Sequence, residues 1–303
     1  MATANKPAGP VSAAERAQAR EQSEDVEAVV KLGMTAATRV SLKTRSAVLA
    51  AYQSGLSVLS PIRKGLAEWR ELLVQAMVVA ELKAMKRTVA GLPATLSLAR
   101  SPLYTATIAQ LVKRQKLTEE QLSEIETVVD AHVVRVLADT TKAIQDSLLK
   151  EVKAITREGL HVRDGVKQLR EKWALLGLDE RNSFQIEAVF RTQTQFAYSA
   201  GQQAVLADPD IDEILWGHKY VTVGDDRVRD RHRGLDGVTL PKKHQLWQTI
   251  MTPNGFACRC GTIPIYEKRK SARPRGGAGP DEGFEFNPGD ILKTKKPIPI
   301  PAA

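Results

Sequence analysis

Thr222-Val223-Gly224-Asp225-Asp226-Arg227-Val228-Arg229-Asp230-Arg231-His232-Arg233-Gly234-Leu235-Asp236-Gly237 is the run on which the fold turns, and Pro253-Asn254-Gly255-Phe256-Ala257-Cys258-Arg259-Cys260 closes the same region. Both cysteines of the chain lie in it. Residues 225–233 crowd charges of both signs around His232, a density that water or a site can hold and a dry core cannot. The stretch therefore reads as loops pinned by turns. Asp236-Gly237 signals a reversal because glycine reaches positive φ without steric cost, and Asn254-Gly255 signals a second. Two such reversals would gather Asp225, His232 and the Cys258-Arg259-Cys260 tripeptide into one place.

Just before this run the apolar period is two. Trp216, His218, Tyr220 and Thr222 share one face of a predicted strand, with Gly217, Lys219, Val221 and Val223 on the other. Thr262-Ile263-Pro264-Ile265 offers a second short strand, which Pro264 confines to an edge. Upstream the period is helical. Val26, Val29, Val30 and Gly33, then Leu66, Trp69, Leu72, Leu73, Ala76 and Val79, follow three-four spacing up to residue 90, with Pro61 in a first helical turn. Thr118 and Gln121 form a capping-box pair that opens a long helix with His132 on its apolar stripe, continuing through Leu148 and Val152. Val166, Leu169, Trp173 and Leu176 mark a short amphipathic helix, and residues 179–206 another that contains Arg191. The fold class is α+β and predominantly α-helical: long helices plus a small antiparallel sheet domain with charged loops. Residues 1–25 read as a flexible arm, 26–158 as a helical region, 159–265 as the mixed domain, and 266–303 as a basic, Pro- and Gly-rich extension with Phe284 and Phe286 able to dock back.

The chain has 303 residues, 43% hydrophobic and only 5% aromatic, a globular composition that favours helix. Its formal charge is +9, and residues 216–275 hold 13 Lys and Arg against 5 Asp and Glu, so the excess is local. A local excess of that size attracts polyanions, DNA or an acidic protein surface. Arg231, Arg233, Lys242, Lys243, Lys268, Arg269, Lys270, Arg273 and Arg275 are the candidate contacts. The N-terminus lacks the apolar run of a signal peptide, and residues 46–62 are too polar to span a membrane.

Two chemistries compete at the charged run. His232, His244, Cys258 and Cys260 are zinc-type ligands, although Cys-x-Cys leaves a shorter gap than structural zinc sites use. Asp225, Asp226, His232, Asp236 and His244 could hold a divalent ion for phosphodiester hydrolysis, but no nuclease spacing, phosphate-cradling glycine loop or nucleophile elbow accompanies them. The residues favour a rigid turn instead. Cys258 and Cys260 pack inward, Arg259 pairs with Asp225 or Asp226, and Arg227 and Arg229 join the ion pairs, with no metal, cofactor or catalysis. Arg191 is expected either to pair with a carboxylate of this region or to stay solvated.

Taken together, Trp216, the Asp-x-Arg-Val-Arg-x-x-His run ending at His232, Leu235-Asp236-Gly237, Pro253-Asn254-Gly255-Phe256-x-Cys258-Arg259-Cys260 and Gly283-Phe284-x-Phe286-Asn287-Pro288-Gly289 resemble the Mu F-like family of tailed-phage minor head (head morphogenesis) proteins. The resemblance covers about 159–289, with Gln193 where the family's Arg-Thr-Glu helix carries Glu. Some relatives have a cysteine pair in the Asp-Arg-Val-Arg segment; Arg229 and His232 stand there instead, so a four-cysteine metal site is out of reach. The resemblance implies a structural minor head protein, made in the host cytoplasm and built into the virion head near the portal. Its implied partners are portal, major capsid or scaffolding proteins and packaged DNA. A metal-dependent nuclease is the alternative.

Overall fold

The computed structural model describes residues 9–54, 56–93, 146–148, 150–154, 162–176 and 184–290. Most of the helix expected from Thr118, with His132, lies outside them, as does the Pro-rich end beyond 290. Of that helix, Leu148 is helical and buried, and Val152 is helical and packs on the same core.

Among the described residues, besides the helical 146–148 and 150–154, helices α1 (Ala13–Gln53), α2 (Leu59–Ala90), α3 (Val162–Leu175), α4 (Phe184–Leu206) and α5 (Pro209–Ile214) precede or adjoin the sheet. Strand β1 (Gly217–Val221), helix α6 (Asp230–Arg233), strand β2 (Thr239–Pro241), helix α7 (Trp247–Ile250) and strand β3 (Gly261–Ile265) follow. The architecture is thus predominantly helical α+β with one three-stranded antiparallel sheet, ordered β2-β1-β3.

Helices α1, α2 and α4 pack around one apolar core of Val26, Val30, Trp69, Leu73, Met77, Phe190 and Phe196. Helix α2 is enclosed by α1 and α4, so it buries Ile62, Trp69, Leu73 and Ala76 along one row and Val78, Glu81 and Met85 along another. Val79, expected on the apolar stripe, is 45% exposed. The buried indoles keep partners, as buried polar groups must. Trp69 Nε1 donates to Ala37 O and Trp173 Nε1 to Ser41 Oγ, each at 3.1 Å.

Helix α1 starts far earlier than a mobile arm over 1–25 would allow. Ser12 Oγ accepts from Glu15 N at 3.2 Å while Ser12 N donates to Glu15 Oε2 at 2.8 Å, a complete capping box. The first turns then lie under the sheet, where Ala19 packs with Val221, Ile263 and Ile265. Within β1 the expected alternation is present: Tyr220 enters a core with Leu235, Val238, Leu240 and Trp247, while Lys219 and Val221 face α1. Past the ends of the strand the pleat stops, and Trp216 and Val223 pack with the opposite sets from those expected.

Residues 266–275, the start of the basic extension expected over 266–303, are tied to the outer edge of β2. Thr239 N donates to Ala272 O at 2.9 Å and Ala272 N to Thr239 O at 2.8 Å. Further on, Asp281 N donates to Asn254 O at 2.8 Å, and Phe284 and Phe286 dock on the helical core beside Phe256 and Phe196. Unpaired β2 backbone supplies the reason, since a sheet edge left in water is a template for any adjacent strand.

Candidate functional site

Asp236 is the hub of the charged segment. Its carboxylate accepts from both terminal Arg16 nitrogens, Nη1 and Nη2, at 2.8 Å, from Thr222 N at 2.8 Å and from Thr222 Oγ1 at 3.0 Å. The next residue makes the reversal. Gly237 sits at φ 82°, and its N donates to Tyr220 O at 2.9 Å, so the turn stitches the loop to β1. Lys219, buried on the opposite face, donates to Glu15 Oε2 at 2.7 Å and to Pro10 O at 3.0 Å. Burial by itself would raise the Glu15 pKa, but the hydrogen bonds from Lys219 and Ser12 outweigh it and hold the carboxyl down to about 2. That stabilisation is complete above the ordinary carboxyl value of 4.5 and disappears as pH falls toward about 2. Acid titration followed by circular dichroism is therefore expected to show a loss of stability between those limits that Glu15→Gln removes.

The second reversal works differently from the glycine signal. Gly255 does not occupy the left-handed region; Ala257 does, at φ 52°. Gly255 is needed for closeness instead, because a Cβ there would stand 2.1 Å from Asp281 Oδ2. Beyond Ala257 the chain extends into β3, so Cys258 and Cys260 point one way and Arg259 the other. Arg259 clasps Asp225 in a two-pronged pair at 2.6 and 2.8 Å. The bonds from Arg259 draw the Asp225 carboxyl below the ordinary range, even though slight burial opposes this.

Inside, His232 faces both cysteines. Its Nδ1 lies 4.0 Å from each sulfur, and its Nε2 is 2.9 Å from Asn254 O and 3.6 Å from Asp281 Oδ1. All three side chains are buried, with ligand-type atoms within 4.8 Å of one another. The Cys260 thiol hydrogen-bonded to Cys258 drives the Cys258 pKa well below the usual thiol value, with His232 assisting and burial opposing. The donor thiol of Cys260 is pushed the other way, by Cys258 and by burial. Tyr220 Oη donates to Asn254 Oδ1 at 2.8 Å, closing the ring of partners.

Helix α4 holds this assembly through a row of buried polar side chains that sequence reading missed. Thr192 Oγ1 accepts from Ala257 N at 3.2 Å, Gln195 donates to Cys260 O at 3.3 Å, Ser199 meets Thr252 at 2.9 Å, and Gln202 exchanges two bonds with Thr262. Their spacing of three and four residues on an otherwise apolar helix was the available signal. Arg16, Glu15, Tyr220 and Asp281 were missed as well, the first two because they belonged to the supposed arm.

Several expected roles change. Arg191 pairs with Glu27 on α1 and Glu187 on its own helix, not with a carboxylate of 222–263. His244 stands apart from the cysteines, where its Nδ1 accepts from Leu246 N at 3.2 Å and stabilises a local turn. Asp226 is exposed and unpaired among the described residues. Trp216 borders the core under the sheet, and Arg229 reaches Phe256 O at 2.7 Å and Asp281 at 3.4 Å. Of the basic candidates, Lys242 is engaged by Asp212 and Arg269 by Glu15, while Arg233 lies beside Asp230. Arg231, Lys243, Lys268, Lys270, Arg273 and Arg275 are exposed, as is Arg227.

The carboxylates Asp225, Asp236 and Asp281 thus each face an arginine instead of converging on one point. A cleft of about 240 Å³ lies under β3, lined in part by Glu15, Gln22, Arg87, Tyr198, Gln202 and Arg269, and touches none of Asp225, Asp226 or His232. No helix among the described residues is long and apolar enough to cross a membrane.

Residues 142–263 match the family of Phage Mu protein F like proteins. The match begins earlier than 159 and stops short of the 283–289 run. The chain is 30% identical over 88 residues to the Mu-like prophage FluMu F protein of Haemophilus influenzae, covering 29% of this chain and 21% of that protein. It is 28% identical over 153 residues to the "Putative capsid assembly protein F" of Escherichia phage Mu, covering 45% of this chain and 34% of that protein. The chain therefore spans between a fifth and about a third of these relatives' lengths. No solved structure matches it. Over the segment that carries the charged run, the Tyr220 core and the Cys-Arg-Cys turn, this chain is similar to the Phage Mu protein F like family.

Proposed function

We propose that this chain is a structural component of a tailed-phage head that acts in capsid assembly near the portal, with no catalytic role. The observation that carries the reading is the Mu F-like match over 142–263, which includes most of the charged and cysteine-bearing segment and joins it to a relative named for capsid assembly. Geometry supports it. Asp225, Asp236 and Asp281 are spent on Arg259, Arg16 and Arg229, an ion-pair framework that leaves none of these three carboxylates free to hold a catalytic ion. Other head proteins, portal, major capsid or scaffolding, are the partners, and host cytoplasm followed by the virion is the location.

The exposed basic residues Lys243, Lys268, Lys270, Arg273 and Arg275 form the face offered to packaged DNA. Reversing Lys268, Lys270 and Arg273 to Glu spares Arg269, which is tied to Glu15. In a salt series, the triple variant is expected to bind duplex DNA more weakly and with a shallower slope of log affinity against log salt, by about 0.9 for each phosphate the protein no longer neutralises. An unchanged slope contradicts DNA binding at this face. Retention of portal binding by the same variant assigns portal docking to another surface.

A further inference from the structure

We infer that His232, Cys258 and Cys260 form a buried divalent-metal site of the structural zinc type. Sequence spacing alone counts against two ligands separated by one residue, but the tripeptide is extended here. A period of two then brings both sulfurs to one side and sends Arg259 to the other. Each sulfur stands 4.0 Å from the same imidazole nitrogen, at the outer limit for a hydrogen bond to sulfur. Tetrahedral zinc with its usual bonds, about 2.3 Å to sulfur and about 2.0–2.1 Å to nitrogen, places those atoms about 3.6 Å apart. The cluster reaches that geometry by closing a few tenths of an ångström.

Three features around the cluster fit an ion. His232 Nε2 is fixed by Asn254 O at 2.9 Å, with Asp281 Oδ1 behind it, which leaves the Nδ1 lone pair directed at the sulfurs. A metal-binding histidine is held in this way by carbonyl or carboxylate partners on its other nitrogen. Charge also balances: a divalent ion with two thiolates and a neutral imidazole carries no net charge, so its burial avoids the penalty of a dry, uncompensated ion. Finally, the ligands come from two separate segments, residue 232 and residues 258–260, so one ion ties the charged loop to the β3 lead-in. Among the described residues no fourth His, Cys, Asp or Glu joins the cluster, and His244 stands elsewhere. An oxygen, from water or the Tyr220 hydroxyl, completes the shell.

The test uses the full chain purified from zinc-supplemented medium without chelators, and total metal analysis is expected to find about one zinc per chain. Cys258→Ser combined with Cys260→Ser is expected to reduce that to background, while His244→Ala retains it. If the double variant does not fold, the wild-type chain still decides the matter. Cobalt exchanged for zinc must give thiolate-to-cobalt charge transfer, and both cysteines must resist alkylation until chelator is added, when Tm falls. Wild-type chain without stoichiometric metal, cobalt spectra lacking the thiolate band, or metal retained by a folded double variant overturns the assignment. None of these results bears on capsid assembly.

Discussion

Gly237→Val is expected to destabilise the fold by about 3 kcal/mol, combining the strain of a β-branched residue in the left-handed region with overpacking. The native φ is 82°, and a Cβ at this position would stand 2.1 Å from Gly9 O and 3.5 Å from Val11 Cγ2. The only relief is to push residues 9–11 off the turn, and that segment also supplies the Pro10 carbonyl that Lys219 uses. The Asp236 hub sits one residue away, so its bonds to Arg16 and Thr222 weaken with the turn. A fall in Tm of roughly 5–10 °C follows from the usual size scaling. Gly276→Val is the control. It has nothing within 4 Å and no positive φ, and its change is expected to stay within about 0.5 kcal/mol. Equal melting of wild type and Gly237→Val would mean that the turn is not a keystone.

Glu81→Gln is expected to stabilise the chain by on the order of 2 kcal/mol at pH 7 and to flatten its stability profile above pH 4.5. Glu81 is buried between α2 and α4 against the Gly201 backbone, and burial pushes its carboxyl up to about 8 from 4.5. The folded chain therefore keeps a proton that the unfolded chain releases, and stability declines as pH rises from 4.5 through about 8. Glutamine fills nearly the same space without ionising. Denaturant midpoints at pH 5, 7 and 8.5 check this: wild type should fall across the series and Glu81→Gln should not, whereas parallel profiles would show that Glu81 does not control the decline.

Local chemistry was the part most legible in sequence. Helical period set the core faces of α3, where Val166, Leu169 and Trp173 are buried, and period two set which of two buried faces Tyr220 and its neighbours Lys219 and Val221 take in β1. Asp236-Gly237 declared its turn because a positive φ leaves few residue choices. What escaped was whatever depended on distant partners. Ser12-x-x-Glu15 is a capping signature, but its polar surroundings resembled an arm until Lys219, more than two hundred residues away, gave Glu15 a reason to be buried. Arg191 chose Glu27 for the same reason, since only packing of α1 on α4 brings them together. Asn254-Gly255 misled in a subtler way, because glycine there serves a close approach by Asp281 and Ala257 carries the unusual backbone angle. Short α5 was overlooked although Asp208 before Pro209 is a helix start, with Asp208 Oδ1 accepting from Asp210 N at 3.0 Å.

We propose that this ion-paired, turn-locked domain serves particle assembly and not a reaction. Mass spectrometry of heads and head precursors, purified from cells that make this chain together with phage particles, tests that proposal most directly. Peptides of the chain are expected in those particles, in fewer copies than the major capsid protein. Particles that form in its presence yet never contain it, at any stage of assembly, would contradict the account.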